Sequence, residues 1–325
     1  MSKRPIIIDV DPGNDDAQAI MLLAGSGLFD IRGICAVHGN VGLEHTAPNA
    51  LYLAGLTGVD CPVCIGADKA ILARKTRAEY AHGGNGLGGL EYTVDTSKFS
   101  SIRPWDLMWE EALKCEGELE IFAVGPLTNV ALAVLKYPEL PKHVKSLTIM
   151  GGAATCGNMT AYAEFNIWQD PHAAEICFKA GFKRFVVVDL DACRTGWLNE
   201  EEMHELENLP ASNPIAPLMK HQVESHRQFV EQWTFPSEEE RELHRKRLGD
   251  CDGVAAATLI DDSIATMEDR YMFCECRGEL TSGQTVIDWL GFVAPANVKL
   301  VRSVDRAKYA EFYLNAAKSY DKEEA

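Results

Sequence analysis

Pro5-Ile6-Ile7-Ile8-Asp9-Val10-Asp11-Pro12-Gly13-Asn14-Asp15-Asp16-Ala17-Gln18-Ala19-Ile20-Met21-Leu22-Leu23 opens the chain with an apolar run, a tight turn and a second apolar run. The first run is short and rich in isoleucine, so it reads as a buried strand; the second has the length and spacing of a helix. Pro12 sets φ and Gly13 permits positive φ, which makes the turn. The turn thus lies at the carboxyl end of a strand and the amino end of a helix, where open α/β sheets bind ligands.

Asp9, Asp11, Asp15 and Asp16 put four carboxylates within eight residues. They repel unless protons or a cation compensate, and a helix N-terminus offers only about half a positive charge. A hard divalent cation is the economical solution; oxygen ligands without Cys or His favour calcium or magnesium over zinc. Asp15 as a helix cap and Asp9 as the polar end of a strand are the plain alternatives, but a cap needs one carboxylate, not four.

Outward from this stretch the pattern repeats. Asp30 to Val37 reads as a strand ending in His38-Gly39-Asn40, Leu43 to about Gly58 as a helix, and Pro62 to Ile65 as a short strand. Glu118 to Val124 and Val144 to Met150 are further strands, each delivering a glycine turn, and Lys183 to Leu190 is another. Strands alternating with helices predict a parallel sheet with right-handed crossovers. The expectation is one α/β domain spanning 1–325, with a mainly parallel, Rossmann-like sheet flanked by helices and a small β addition within Ser263 to Arg302.

Composition narrows the function. A formal net charge of −17 argues against nucleic acid or an anionic membrane as partner and leaves a neutral or cationic small molecule. No run of about 18 apolar residues exists, and Met1-Ser2-Lys3-Arg4 runs straight into the first strand, so a cytoplasmic protein is expected. Ten scattered cysteines fit free thiols in a reducing compartment. Cys61 and Cys64, with Cys274 and Cys276, have spacings that zinc sites use, but the first pair is expected on opposite faces of a strand.

Three more regions carry polar candidates. Tyr80 to Gly89 holds five glycines in ten positions and reads as a loop, preferably a lid with His82 and Asn85 as contacts. Ala153 to Asp170 places Asn158, Glu164 and Asn166 beside aromatics, a pattern suited to a hydroxyl-rich substrate. Gly249-Asp250-Cys251-Asp252-Gly253 opens an apolar helix, Val254 to Ile260, and supplies distant acidic partners for the first-loop cation. His221 and His226 sit in a helical stretch as further contact candidates.

The opening motif is not an EF-hand loop, which would end in Glu where Ile20 stands. It could be the Asp-x-Asp of a haloacid-dehalogenase-type, magnesium-dependent phosphohydrolase, although Gly13 stands where that motif has Thr or Val and no Lys is found at a downstream strand end. The chain instead resembles the nucleoside N-ribohydrolases, the inosine-uridine-preferring nucleoside hydrolase family. The resemblance rests on Asp9-x-Asp11-Pro12-Gly13-x-Asp15-Asp16-Ala17, Val37-His38-Gly39-Asn40, His82 to Gly88, Gly125-Pro126-Leu127-Thr128-Asn129, Ile149 to Gly152, Gly157-Asn158 and Ala163-Glu164-Phe165-Asn166 through Asp170-Pro171, in that order.

What the resemblance implies is hydrolysis of the N-glycosidic bond of ribonucleosides, inosine and uridine among them, in purine and pyrimidine salvage. It implies a bound Ca2+ held by Asp11, Asp16, the Val124 carbonyl and Asp252, with Asp11 taking a proton from the calcium-bound water as general base. Asp15, Asn40 and Asn166 would hold the ribose hydroxyls, and Asn158, Glu164 and Met150 would surround the 5′ side. Relatives are often dimers or tetramers, so a homo-oligomer is expected. Many relatives have His before the last calcium Asp; here Cys251 stands there, and an ordinary thiol pKa of about 8.5 makes it a poorer acid than imidazole. His82, His221 or His226 are the other donors, and a non-catalytic nucleoside- or sugar-binding module remains the alternative outside enzymology.

Overall fold

A computed structural model of the chain describes residues 2–72 and 77–321. The strands are β1 (Arg4–Val10), β2 (Phe29–Ala36), β3 (Val63–Ile65), β4 (Glu120–Ala123), β5 (Ser146–Met150), β6 (Phe185–Val188), β7 (Trp197–Leu198), β8 (Leu248–Gly249), β9 (Ala265–Cys274), β10 (Thr285–Asp288) and β11 (Val298–Val304). Nine of them form one sheet in the order β10-β9-β11-β6-β5-β4-β1-β2-β3, and β7 pairs with β8 apart from it. From β3 to β11 every pairing is parallel; only β9 and β10 run antiparallel. The expected C-terminal β addition is therefore an extension of the main sheet.

The strand β1 lies near the middle of the sheet, between β2 and β4, and burial on both faces explains its run of isoleucines. Ile6, Ile8 and Val10 enter the core on one face while Ile7 enters the core on the other. That alternation also sends Asp9 to the Ile7 side, where it is fully buried.

The helices relevant to the site are α1 (Asn14–Gly25), α2 (Leu43–Leu56), α3 (Glu79–His82), α4 (Pro104–Lys114), α5 (Thr128–Lys136), α6 (Leu140–His143), α7 (Phe165–Gln169) and α8 (Pro171–Lys179), followed by α9 (Leu190–Cys193), α10 (Glu200–Glu207), α11 (Ala216–Gln232), α12 (Glu238–Arg245), α13 (Cys251–Ile260) and α14 (Arg306–Lys318). On the Ile6 side α1 packs against α13 and α14; on the Ile7 side α5 packs against α4 and α8. Among the described residues no helix is long and apolar enough to cross a membrane.

Three local expectations are revised. The glycine-rich segment begins as helix, α3, and is stitched down: Gly88 N donates to His82 O at 2.7 Å, Asn49 Nδ2 to Asn85 O at 2.8 Å, and Leu87 is fully buried. The irregular stretch contains α7, capped by Glu164. The last apolar helix starts at Cys251, three residues before Val254, because Asp250 accepts the Gly253 N–H and caps it there.

Candidate functional site

The first turn of α1 is shaped by Asp16. Its Oδ2 accepts the Gly13 N–H at 2.8 Å and its Oδ1 accepts the Asp11 N–H at 3.0 Å, so the carboxylate reaches back over the turn in a capping arrangement. The cap is thus Asp16, and Asp15 is left pointing outward, its side chain about a quarter exposed. Asp11 is wedged between two glycines. A Cβ on Gly39 would stand 1.9 Å from Asp11 Oδ2 and one on Gly125 2.5 Å from Oδ1, so only glycine fits either neighbouring loop. Asn40 completes the wall: its N–H donates to Asp11 Oδ2 at 2.6 Å, and its Nδ2 donates to the Asp11 carbonyl and to Asp16 Oδ2, each at 3.2 Å.

Asp252 arrives from the first turn of α13, brought over α1 by the packing of the two helices. Oxygens of Asp15, Asp16 and Asp252 all lie within 4.8 Å of one another. This trio includes Asp15, which the sequence reading reserved for the sugar, and does not include Asp11, which that reading placed on the metal. Asp11 is nonetheless adjacent: Asp16 and Asp15 both act on its charge.

The electrostatics are those of a site short of positive charge. Burial first, then the neighbouring Asp16 and Asp15 charges, raises the Asp11 carboxyl well above its ordinary range. Burial and the Asp15 charge push Asp16 up to about 8, and burial with Asp15, Asp16 and Asp250 raises Asp252 strongly. Asp11 Oδ1, Asp15 Oδ1 and Asp252 Oδ1 are buried without a hydrogen-bond partner. Buried acceptors without partners are rare, and the carboxylate oxygens of Asp15, Asp16 and Asp252, two of these residues carrying such an orphan, converge in a way that suits a hard cation with oxygen ligands. Among the described residues no cysteine joins such a group, which removes the zinc reading of Cys61, Cys64, Cys274 and Cys276.

Beside the carboxylates lies a ring of amides. Asn166, at the start of α7, donates from Nδ2 to the Val124 carbonyl at 2.7 Å and the Met150 carbonyl at 3.2 Å, which brings Asn166, Val124 and Met150 together. Glu164 is fully taken up by backbone: Oε2 accepts from Gly152 and Ile167, and Oε1 from Asn166. Burial still pushes its pKa to about 7, against the pull of those N–H groups. Asn158 is exposed and its Oδ1 accepts the Phe165 N–H at 2.9 Å, which ties the outer loop to α7.

The opposite wall is a cavity of about 180 Å³ lined by Asp15, His82, Gln222, His226, Phe229 and Leu248, among others. His82 Nδ1 accepts the Asn14 N–H at 3.2 Å and stands 3.7 Å from Asp15 Oδ1, which leaves the ring hydrogen on Nε2. His226 is tied to the His244 carbonyl at 2.9 Å, and burial lowers its pKa, so it stays neutral. His221 is spent on the Leu87 and Gly88 carbonyls at 3.1 Å. Cys251 is half-buried, with the Cys193 thiol 3.7 Å from its carbonyl.

Several residues escaped the sequence reading. Gln222, not His221, is the α11 side chain that reaches the first loop, donating to the Asn14 carbonyl at 2.8 Å. Asn129 Nδ2 donates to Asp9 Oδ2 at 2.8 Å, and Asp9 lies outside the trio. His38, Thr128 and Asp170 form a buried chain behind the ring of amides. The only sequence signal for Asn129, His38, Thr128 and Asp170 is their presence in the quoted motifs, and Gln222 has none.

Known proteins match the chain over nearly its whole length. The family model described as "Inosine-uridine preferring nucleoside hydrolase" matches residues 6–311. The chain is 32% identical over 320 residues, 97% of its own length and 99% of the relative's, to the pyrimidine-specific ribonucleoside hydrolase RihA of Escherichia coli O81 (strain ED1a). It is 31% identical over 323 residues to the protein of the same description from Shewanella woodyi, covering 98% and 99% of the two chains. Among solved structures, the purine-preferring ribonucleoside hydrolase from Gardnerella vaginalis superposes with a TM-score of 0.88 at 26% identity, covering 98% of this chain and 99% of the other.

Proposed function

The chain belongs to the inosine-uridine preferring nucleoside hydrolase family, and from that premise we propose that it cleaves the N-glycosidic bond of ribonucleosides in the pocket formed by Asp11, Asp15, Asp16 and Asp252. The observation that carries this reading is the convergence of buried, partnerless carboxylate oxygens beside a ring of amides. The phosphohydrolase and binding-module alternatives give way to family membership.

Departure of the base leaves positive charge on the ribose ring, and a low-dielectric pocket of carboxylates and amide oxygens stabilises that charge as it develops. Asp11 is the general base: its Oδ1 is free of any donor and so open to a proton from water held in the site. Asp15, the outward-facing member of the group, and Asn40 and Asn166 hold the ribose 2′- and 3′-hydroxyls. Met150 and Asn158 border the 5′ side, while Glu164 fixes the loop that carries Asn166.

Asp11, Asp16, Asp252 and the Val124 carbonyl are the residues that would hold Ca2+; the Val124 oxygen keeps a second lone pair beyond its bond to Asn166. When bound, such an ion lowers the pKa of a coordinated water and orients it.

On the base side His82 is the best-placed donor, since its Nε2–H is uncommitted while His221 and His226 are spent on carbonyls. Cys251 serves as a contact. Inosine and uridine are the substrates expected, and a homo-oligomer, dimer or tetramer, is the expected assembly. Ten free thiols support a reducing compartment such as the cytoplasm, where nucleoside salvage is the expected role. A reducing-sugar assay over the common ribonucleosides and their 2′-deoxy forms tests the reading: release of ribose, lost in Asp11→Ala, supports it, and equal rates on deoxyribonucleosides contradict the hydroxyl contacts.

A further inference from the structure

Behind the ring of amides, three buried polar side chains, from the loop after β2, the start of α5 and the junction of α7 with α8, form a continuous chain. Asp170, between α7 and α8, accepts the Ala173 N–H at Oδ1 and, at Oδ2, both the Ile71 N–H at 2.9 Å and the Thr128 hydroxyl at 2.8 Å. A carboxylate offers only acceptors, so the Thr128 hydrogen is committed to Asp170. The Thr128 lone pair then takes what stands on its other side, His38 Nε2 at 3.1 Å, which must carry its ring hydrogen there. Burial lowers the His38 pKa to about 4, which keeps the ring neutral and the tautomer single.

Each end of this chain abuts a ribose-site amide. His38 is followed by Gly39, pressed against the Asp11 carboxylate, and by Asn40, whose N–H and Nδ2 clasp Asp11 and Asp16. Asp170 terminates α7, the five-residue helix whose second residue is Asn166. Thr128 stands four residues after Val124, the carbonyl that Asn166 binds. The loops after β2 and β4 and the α7 turn are thus pinned to one another by two hydrogen bonds that no other described contact duplicates in kind: a hydroxyl that donates one way and accepts the other.

We propose that His38, Thr128 and Asp170 are a positioning relay that sets the spacing of Asn40 and Asn166, and through it the enzyme's preference for a ribose over a 2′-deoxyribose. The proposal rests on the reading that these two amides hold the ribose hydroxyls. Thr128→Val keeps the shape of the side chain but removes both bonds at once, leaving a ring N–H without an acceptor and Asp170 short of a donor. Thr128→Ser restores both.

The test is kcat and KM on uridine and 2′-deoxyuridine for the wild type, T128V and T128S. The wild type discriminates strongly for the ribonucleoside. In T128V the ratio of the two kcat/KM values falls by about tenfold, the size of one lost buried hydrogen bond, mainly through KM for uridine; T128S keeps the wild-type ratio. Loss of folded enzyme scales both substrates alike and cannot change the ratio. A wild type without discrimination overturns the ribose reading and the relay with it, whereas a discriminating wild type and an unchanged ratio in T128V overturn the relay alone. Should T128V not fold, His38→Phe cuts the same link while Thr128 and Asp170 keep theirs, and an unchanged ratio there is equally fatal.

Discussion

The two walls of the pocket are built differently. The wall assigned to the ribose is made of strand-end loops and the first turns of α1, α7 and α13, with Asp11, Asn40, Asn166, Asp16 and Asp252 all nearly inaccessible, and Asp11, Asp16, Asn40 and Asn166 bonded to backbone groups. The wall assigned to the base is made of helix α11 and the α3 segment, with His82, His226 and Phe229 half-buried, His82 accepting the Asn14 N–H and His226 bonded to the His244 carbonyl rather than to each other. A wall fixed by sheet geometry can hold a constant sugar and a constant reaction; one built from helix faces can be altered without disturbing it. Relatives described as pyrimidine-specific and as purine-preferring share this fold, which is what that division of labour allows.

The largest effects should therefore come from the ribose wall. Asp11→Asn and Asp252→Asn should each lower kcat by roughly 10³-fold while, in the absence of a divalent cation, leaving the folded protein at least as resistant to heat, because each removes a strained buried charge; a thermal melt in chelator beside the steady-state assay reads both. A drop of under tenfold in either would mean that the two walls do not differ in the way described. Asp15→Ala comes next, with about 10²-fold lost from kcat/KM on a ribonucleoside and far less on its 2′-deoxy form.

Changes on the base wall should be smaller and depend on the leaving group. His82→Ala should lower kcat/KM on uridine by about tenfold and leave a riboside with a p-nitrophenyl leaving group nearly untouched, since that group departs without help. Cys251→Ser should stay within about threefold; a larger loss would return Cys251 to the role of proton donor.

The smallest effect sought is on stability. Asp16 has a folded-state pKa of about 8, against an unfolded value near 4, so between those limits the folded protein holds a proton that the unfolded chain has released. Without a divalent cation, stability should fall as pH rises from 4 to 8. Adding calcium at pH 8 should raise the melting temperature by several degrees, and adding it at pH 5 should do little. Equal shifts at both pH values would show that protons and calcium do not compete for the same carboxylates.

How much of this was legible in the sequence follows from the range of each interaction. The Asp9 to Asp16 stretch declared its strand, turn and helix because the spacing is local, and the demand for a cation because four like charges are adjacent. The strand-end loops bearing Asn40, Val124 and Met150 followed from the repeated pattern. What separates Asp15 from Asp11 around the trio is where α13 lies across α1, and neither helix carries that information in its own residues. The early start of α13 hung on one cap by Asp250, and the anchoring of the α3 segment on Asn49 from α2. Choosing Gln222 over His221 needed the rotation of α11 about its axis, which a mixed-polarity helix does not reveal.

Elemental analysis of the purified enzyme, with the Asp252→Asn variant beside it, tests the central claim most directly. One calcium ion per wild-type chain, absent from the variant and removable by chelation together with turnover of uridine, is the predicted result. Full turnover of uridine by protein that holds no divalent cation would contradict it.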